Sequence, residues 1–195
     1  RVTHAGTFNA NPMTAVAGAL GTPEGMRRQV DGAYAGRLET EDPWLLMVSS
    51  TAVDPGRAPG GVFKFLSVAP MLLGGLPWTD EDAQAYAEAL LTFARKHVDG
   101  LDSDNILVMR PESPTTLAAH NLANIGGSCH GGEFLMEDGE VIPGWLDYRT
   151  DVPGLYLTGS TSHPGGSVSG RPGRNAARTV LEDLGLDPDK VMSKP

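Results

Sequence analysis

The chain has 195 residues, enough for one domain or one and a half, and its 40% hydrophobic content can supply a core. A net charge of −9 with scattered basic residues excludes a nucleic-acid partner, because phosphate would be repelled. Its apolar runs fall far short of the roughly 20 residues a membrane span needs, so no transmembrane segment is expected. Cys129 is the sole cysteine, which rules out an internal disulfide and points to a reducing, cytoplasmic compartment.

The first 25 residues are rich in loop formers. A helix is predicted over Met26–Leu38, with Met26, Val30, Ala33 and Tyr34 on one face. Trp44–Ser50 reads as a buried strand and Val62–Val68 as a second, the two pairing as a hairpin around the Pro- and Gly-rich turn Asp54–Gly61. Thr79–His97 is a helix. Thr79 and Asp82 have the spacing of a capping box, and Ala83, Tyr86, Ala87, Leu90, Ala94 and Val98 keep the 3.6-residue period up to a stop at Gly100. Asn105–Arg110 is a third strand candidate, Ser113–Ala123 a short helix, Gly126–Gly132 a glycine loop, and Asp138-Gly139 a turn. The tail after Gly185 is expected to fray.

The richest chemistry lies in Leu155–Asn175. Leu155, Tyr156 and Leu157 read as a buried strand. Four glycines follow in twelve residues (Gly159, Gly165, Gly166, Gly170), and a helix runs from Arg171 to Leu184. Strand, glycine loop and helix start together bring backbone N–H groups close to a ligand, without a Cβ in the way and with unpaired donors at the helix end. Pro172 suits the first turn, where its missing N–H is no loss. An ordinary β–turn–α connection is the simpler reading of the same pattern.

This segment resembles the flavin-contacting motif near the C-terminus of phytoene-desaturase-like FAD-dependent oxidoreductases. The matching residues are Gly154–Gly159, His163–Gly170 and Arg174–Ala177. Pro43–Gly61, Asn124–Glu133 and Tyr148–Gly154 agree with further segments of that family, so the likeness covers about Met26–Leu184. It implies FAD as cofactor, with Gly159, Ser160, His163, Pro164, Gly165, Gly166, Ser167, Val168 and Gly170 at the isoalloxazine end. It assigns no catalytic side chain. It implies an α/β or α+β fold: a substrate domain with a mixed sheet, plus the last strand and helix of a Rossmann-like FAD domain. The corresponding divisions are a lead-in at 1–42, a substrate-domain segment at 43–147, a return to the FAD domain at 148–186 and a tail at 187–195. The substrate would be a small or lipid-like molecule. The family's G-x-G-x-x-G fingerprint for the ADP half of FAD is absent, since no two glycines here are separated by one residue. The chain therefore reads as the C-terminal part of a longer flavoenzyme, or as a partner of a separate N-terminal FAD-binding chain. A non-catalytic binding domain derived from such an enzyme is the alternative.

Rival chemistries are weaker. Gly126-Gly127-Ser128-Cys129-His130 approaches the G-x-S-x-G nucleophile elbow of serine hydrolases, but His130 replaces the last glycine and no strong strand precedes it. Cys129 is expected to be a buried thiol. His4, His97, His120, His130 and His163 show no metal-ligand spacing, so no metal site is expected. His97 is placed in the last turn of its helix. His163 either touches cofactor or substrate or shapes the turn before Pro164. The stretch His4–Gly18 is similar to a phosphate-contacting segment of class-III pyridoxal-phosphate aminotransferases. Nothing continues the pattern, and Lys64, Lys96, Lys190 and Lys194 sit in no context for a Schiff base.

Overall fold

A computed structural model describes residues 17–192, except 53, 59, 131–135, 137, 145 and 167–168. Ser167, Val168 and nearly all of the His4–Gly18 stretch therefore lie outside the described residues. Two compact units divide the chain, one running to Thr116 and the other starting at Leu117.

The first unit is built on a three-stranded antiparallel sheet in the order β1 (Ala17–Leu20), β2 (Leu45–Val48), β3 (Lys64–Ser67). The expected hairpin is present: Leu45 opposes Ser67 and Met47 opposes Phe65. Thr51 closes its loop, its hydroxyl accepting from the Val62 N–H at 3.1 Å. The mixed sheet is not. All described pairings are antiparallel, because β1, in the segment read as loop, adds to the free edge of β2 in antiparallel register. Period-two alternation buries Leu45 and Met47 on one face of β2.

Helix α1 spans Pro23–Tyr34, with Thr22 as its N-cap. The Thr22 hydroxyl accepts from the Gly25 N–H and donates to Asp42. Its buried face is not the apolar one expected. Gly25, Gln29 and Gly32 face inward, while Met26 and Tyr34 are exposed. The two glycines account for this, because a Cβ at Gly25 would lie 2.1 Å from the Asp42 carbonyl and one at Gly32 3.1 Å from that of Arg37. Close backbone approach selects the face. Gln29, only 2% exposed, is the polar pivot of the unit. The two hydrogens of its amide nitrogen are shared among Ser67 Oγ at 2.7 Å, the Val68 carbonyl at 2.9 Å and Tyr86 Oη at 3.2 Å, and its oxygen accepts from the Trp44 N–H at 2.8 Å. Glu39 is tied nearby. Burial pushes its carboxyl up, but the Arg28 guanidinium and the N–H groups of Asp42 and Glu41 more than offset this and hold it below the ordinary range.

Helix α2 (Asp80–Ala94) begins in the reciprocal capping box anticipated at Thr79 and Asp82. It buries Ala83, Tyr86, Leu90, Leu91, Phe93 and Ala94 against Leu45, Met47 and Trp78. The helix stops at Ala94, six residues before the expected glycine. The next three residues turn more tightly, and Arg95 Nε donates to the Leu101 carbonyl, drawing Val98 and Leu101 into the core. His97 consequently lies beyond the helix, its ring 5.1 Å from that of Phe93. Asn105–Arg110 is not a strand. Asn105 and Ile106 turn back to the Asp102 carbonyl, Ile106 and Met109 lean on the core, and Leu107 and Val108 stay exposed with no ladder partner among the described residues. The short helix α3 spans Pro114–His120.

The second unit is mostly turns around α4 (Arg171–Asp183), which matches the expected helix. The buried strand at Leu155–Leu157 is absent. One isolated antiparallel bridge pairs Arg149 with Tyr156, and Leu155 and Leu157 are 50% and 59% exposed. Nothing among the described residues offers a ladder to this segment, and without one an apolar triplet forms no sheet. Part of the tail is ordered as a short helix, α5 (Pro188–Met192), fastened to α4 by the Arg178–Asp189 ion pair at 2.6 Å.

Candidate functional site

The glycine loop of the second unit is folded by its own backbone. Ser162 N–H donates to the Gly159 carbonyl at 3.1 Å, and Gly165 N–H donates to the Ser162 carbonyl at 2.7 Å. The His163–Pro164 peptide is cis. Gly165 has φ +96°, a conformation that L side chains rarely adopt. Gly166 N–H donates to His130 Nδ1 at 3.1 Å, and a Cβ at Gly166 would meet the His130 ring at 3.0 Å and Ser160 Cβ at 3.4 Å. Of the residues expected around the cofactor, Ser160, Gly165 and Gly166 are thus gathered about His130. Gly159 and Gly170, with φ of +112° and +67°, have no neighbour at the Cβ position among the described residues.

Helix α4 starts at Gly170 without a side-chain cap. Arg171 N–H reaches Ser169 Oγ at 3.3 Å, and Pro172 has no N–H to offer. Gly173 is the most informative residue. It lies in the first turn without a positive φ, and a Cβ there would meet nothing within 4 Å among the described residues. Glycine inside a helix costs about 1 kcal/mol relative to alanine. No contact or backbone requirement among the described residues accounts for it. Open glycines at the helix start leave room for a group to approach the backbone closely, and the Gly173 N–H, which has no partner among the described residues, suits negative charge.

Two residues that sequence reasoning did not single out hold this region. Tyr148 is 9% exposed and has φ +59°, a left-handed conformation that costs a bulky side chain of order 1–3 kcal/mol. Its hydroxyl donates to the His163 carbonyl and accepts from Asn175 Nδ2 at 2.9 Å, while its own carbonyl accepts from the Leu157 N–H at 2.8 Å. Arg149 next to it grips Asp183 with Nε and Nη2, at 2.9 and 2.8 Å, and Tyr156 Oη donates to the same carboxylate at 2.8 Å. The guanidinium and the phenol hold the Asp183 carboxyl below its ordinary range, and the carboxylate pushes the Tyr156 hydroxyl up. The signal available in the sequence was the position of Tyr148 at the head of the Tyr148–Gly154 segment.

The hydrolase geometry is missing. A 3-10 turn at Ile125–Gly127 precedes Ser128 where an elbow needs a strand, Ser128 Oγ accepts from the His130 N–H at 3.2 Å, and His130 Nδ1 is engaged by Gly166. Cys129 is exposed, contrary to expectation, because it sits in the turn after this 3-10 segment rather than in a packed element. Among the described residues no group of three or more His, Cys, Asp or Glu lies together, and no helix is long and apolar enough to cross a membrane. In the first unit, an apolar groove of about 700 Å3 is lined by Val30, Ala33 and Tyr34 of α1 and by Val68, Met71 and Leu72, with no charged side chain.

Comparison with known proteins gives the chain its relatives. It is 32% identical over 155 residues to pyridine nucleotide-disulfide oxidoreductase domain-containing protein 2 of Mus musculus, covering 76% of this chain and 26% of that protein. It is 27% identical over 158 residues to one subunit of the limonene dehydrogenase of Castellaniella defragrans (74% and 29%), and 26% identical over 163 residues to the lycopene-forming phytoene desaturase of Pseudescherichia vulneris (81% and 32%). Over most of its length, the chain is a distant homologue of one part of these oxidoreductases. It spans about a quarter of the mouse protein's length. No family model and no solved structure matches it.

Proposed function

We propose that this chain is the C-terminal portion of an FAD-dependent oxidoreductase of the phytoene-desaturase-like kind. In this reading the His163–Gly170 loop and the start of α4 face the isoalloxazine end of FAD. Gly173 carries the reading: a helical glycine with open space at its Cβ position among the described residues fits a group pressed against the backbone, and its own N–H suits an electron-rich edge. Hydride acceptance is the chemistry FAD supplies when bound. The residues of this chain orient and exclude: Gly159, Gly170 and Gly173 leave room for close approach, the α4 start presents positive potential, and His130 and Tyr148 fix the loop. The ADP half of FAD needs a G-x-G-x-x-G segment from elsewhere in the protein or from a partner chain.

The test is the visible spectrum of the protein purified with every chain that accompanies it. An absorbance band near 450 nm, about the value for oxidised flavins, is the expected result. Its absence after incubation with excess FAD overturns the reading.

The first unit would serve as substrate domain. Its uncharged groove supports an apolar substrate, in keeping with the hydrocarbons in the names of the Castellaniella and Pseudescherichia relatives. Ala33→Glu would place a charge in that groove and is expected to raise KM with little change in kcat; an unchanged KM removes the groove from the reaction.

A further inference from the structure

We propose that Tyr148 is a positioning residue for the flavin loop, its hydroxyl setting the distance between the His163 carbonyl and α4. The proposal rests on the flavin reading above. One phenolic oxygen joins three segments, donating to His163, fifteen residues away, and accepting from Asn175, twenty-seven away. The ring is nearly fully buried, so the oxygen has little freedom to move. The backbone holds this aromatic residue in a left-handed conformation that glycine or asparagine would adopt with less strain. Such strain persists where surrounding contacts over-determine it, and here the hydroxyl is bonded to His163 in the loop and Asn175 in α4, and the carbonyl to Leu157 ahead of the loop. A second tie to the loop is Gly166 N–H to His130. Tyr148 and His130 therefore hold the loop at two points, His163 and Gly166, and the Tyr148 tie also reaches α4, through Asn175. A loop fixed to the helix keeps its open glycines and the Gly173 N–H in one frame, which is what a ligand contacting both requires.

Tyr148→Phe keeps the ring and removes the oxygen. In the flavin-free protein it is expected to speed amide exchange at Gly165 and Gly166 at least fivefold while the second half of α4 exchanges as before. In the protein purified with its accompanying chains and loaded with FAD, it is expected to raise the FAD dissociation constant at least fivefold and to shift the flavin's absorption band and midpoint potential, which a purely structural role would leave in place. Asn175→Ala, which keeps the tyrosine, should produce the same changes in weaker form, and the double variant should be less than additive. If Tyr148→Phe does not fold, Asn175→Ala alone decides. Wild-type protein that holds FAD while the variants match it in affinity, spectrum and potential overturns the proposal and leaves the flavin reading intact, even if loop exchange is faster. Wild-type protein that takes up no FAD overturns the flavin reading and the proposal together.

Discussion

The two units of the chain are stabilised in different ways. The first closes its own core: Leu45 and Ala94 have no exposed surface, and a polar pivot, Gln29, has every amide group bonded. In the second, the buried apolar set among the described residues is little more than Tyr148, Pro172 and Ala176, while Leu155 and Leu157 lie open. Its order comes from polar ties at single atoms, such as Tyr148 Oη and the Asp183 carboxylate. A unit that buries its own apolar surface folds by volume, whereas one that does not is specified by the geometry of its polar ties.

The sharpest way to break this comparison is a matched pair of truncations. Leu45→Ala should cost about 2–5 kcal/mol of stability in the first unit, as a core cavity does. Leu157→Ala should cost less than about 0.5 kcal/mol, as exposed positions do. Denaturant melts followed by region-resolved hydrogen exchange separate the two, and a large loss from Leu157→Ala would show that the second unit has a core of its own. Next in size is Gly165→Val, which forces a β-branched residue to φ +96° and should cost roughly 1–2 kcal/mol in the second unit alone. Equal loss of protection in both units would contradict that assignment.

Gly173→Ala should go the other way. It should stabilise α4 by up to about 1 kcal/mol in the isolated chain, because helix propensity improves and the new methyl meets nothing. In the whole flavoprotein the same methyl should weaken FAD retention. A gain in stability with unchanged retention would make this glycine incidental.

The smallest effect is in pH. Asp183 has its folded pKa lowered by Arg149 and Tyr156, so its contribution is fully present above the ordinary carboxylate value of 3.8 and is lost as pH falls through the lowered folded value. Glu39 follows the same sign in the first unit. Acid titration below about pH 4 should therefore loosen the Arg149–Tyr156 bridge, an effect that Asp183→Asn abolishes. Retained acid sensitivity of that bridge in Asp183→Asn would place its cause elsewhere.

What the sequence showed clearly was local. The capping box at Thr79 and Asp82, the start of α4 at Arg171 and the hairpin of β2 and β3 depend on neighbours within a few residues or on strand alternation. The face of α1 was not legible, because it is chosen by how closely Gly25 and Gly32 approach Asp42 and Arg37, and a hydrophobic period carries no record of that. The triplet Leu155–Leu157 has a strand's composition, but composition cannot supply a partner strand. The loop glycines were visible as a cluster. Tyr148, Asn175 and His130 were not visible as the residues that hold them, since a hydrogen bond spanning 27 or 36 positions leaves no periodic trace.

The bond from Gly166 to His130 also settles which nitrogen of that imidazole carries the proton. Nδ1 accepts, so in the neutral ring the hydrogen is on Nε2. The ring therefore turns a donor away from the loop, and the two nitrogens become distinguishable in a 15N spectrum, with Nδ1 at the pyridine-like shift and Nε2 at the pyrrole-like one. A glycine amide thus selects the tautomer of a histidine 36 positions away in the chain.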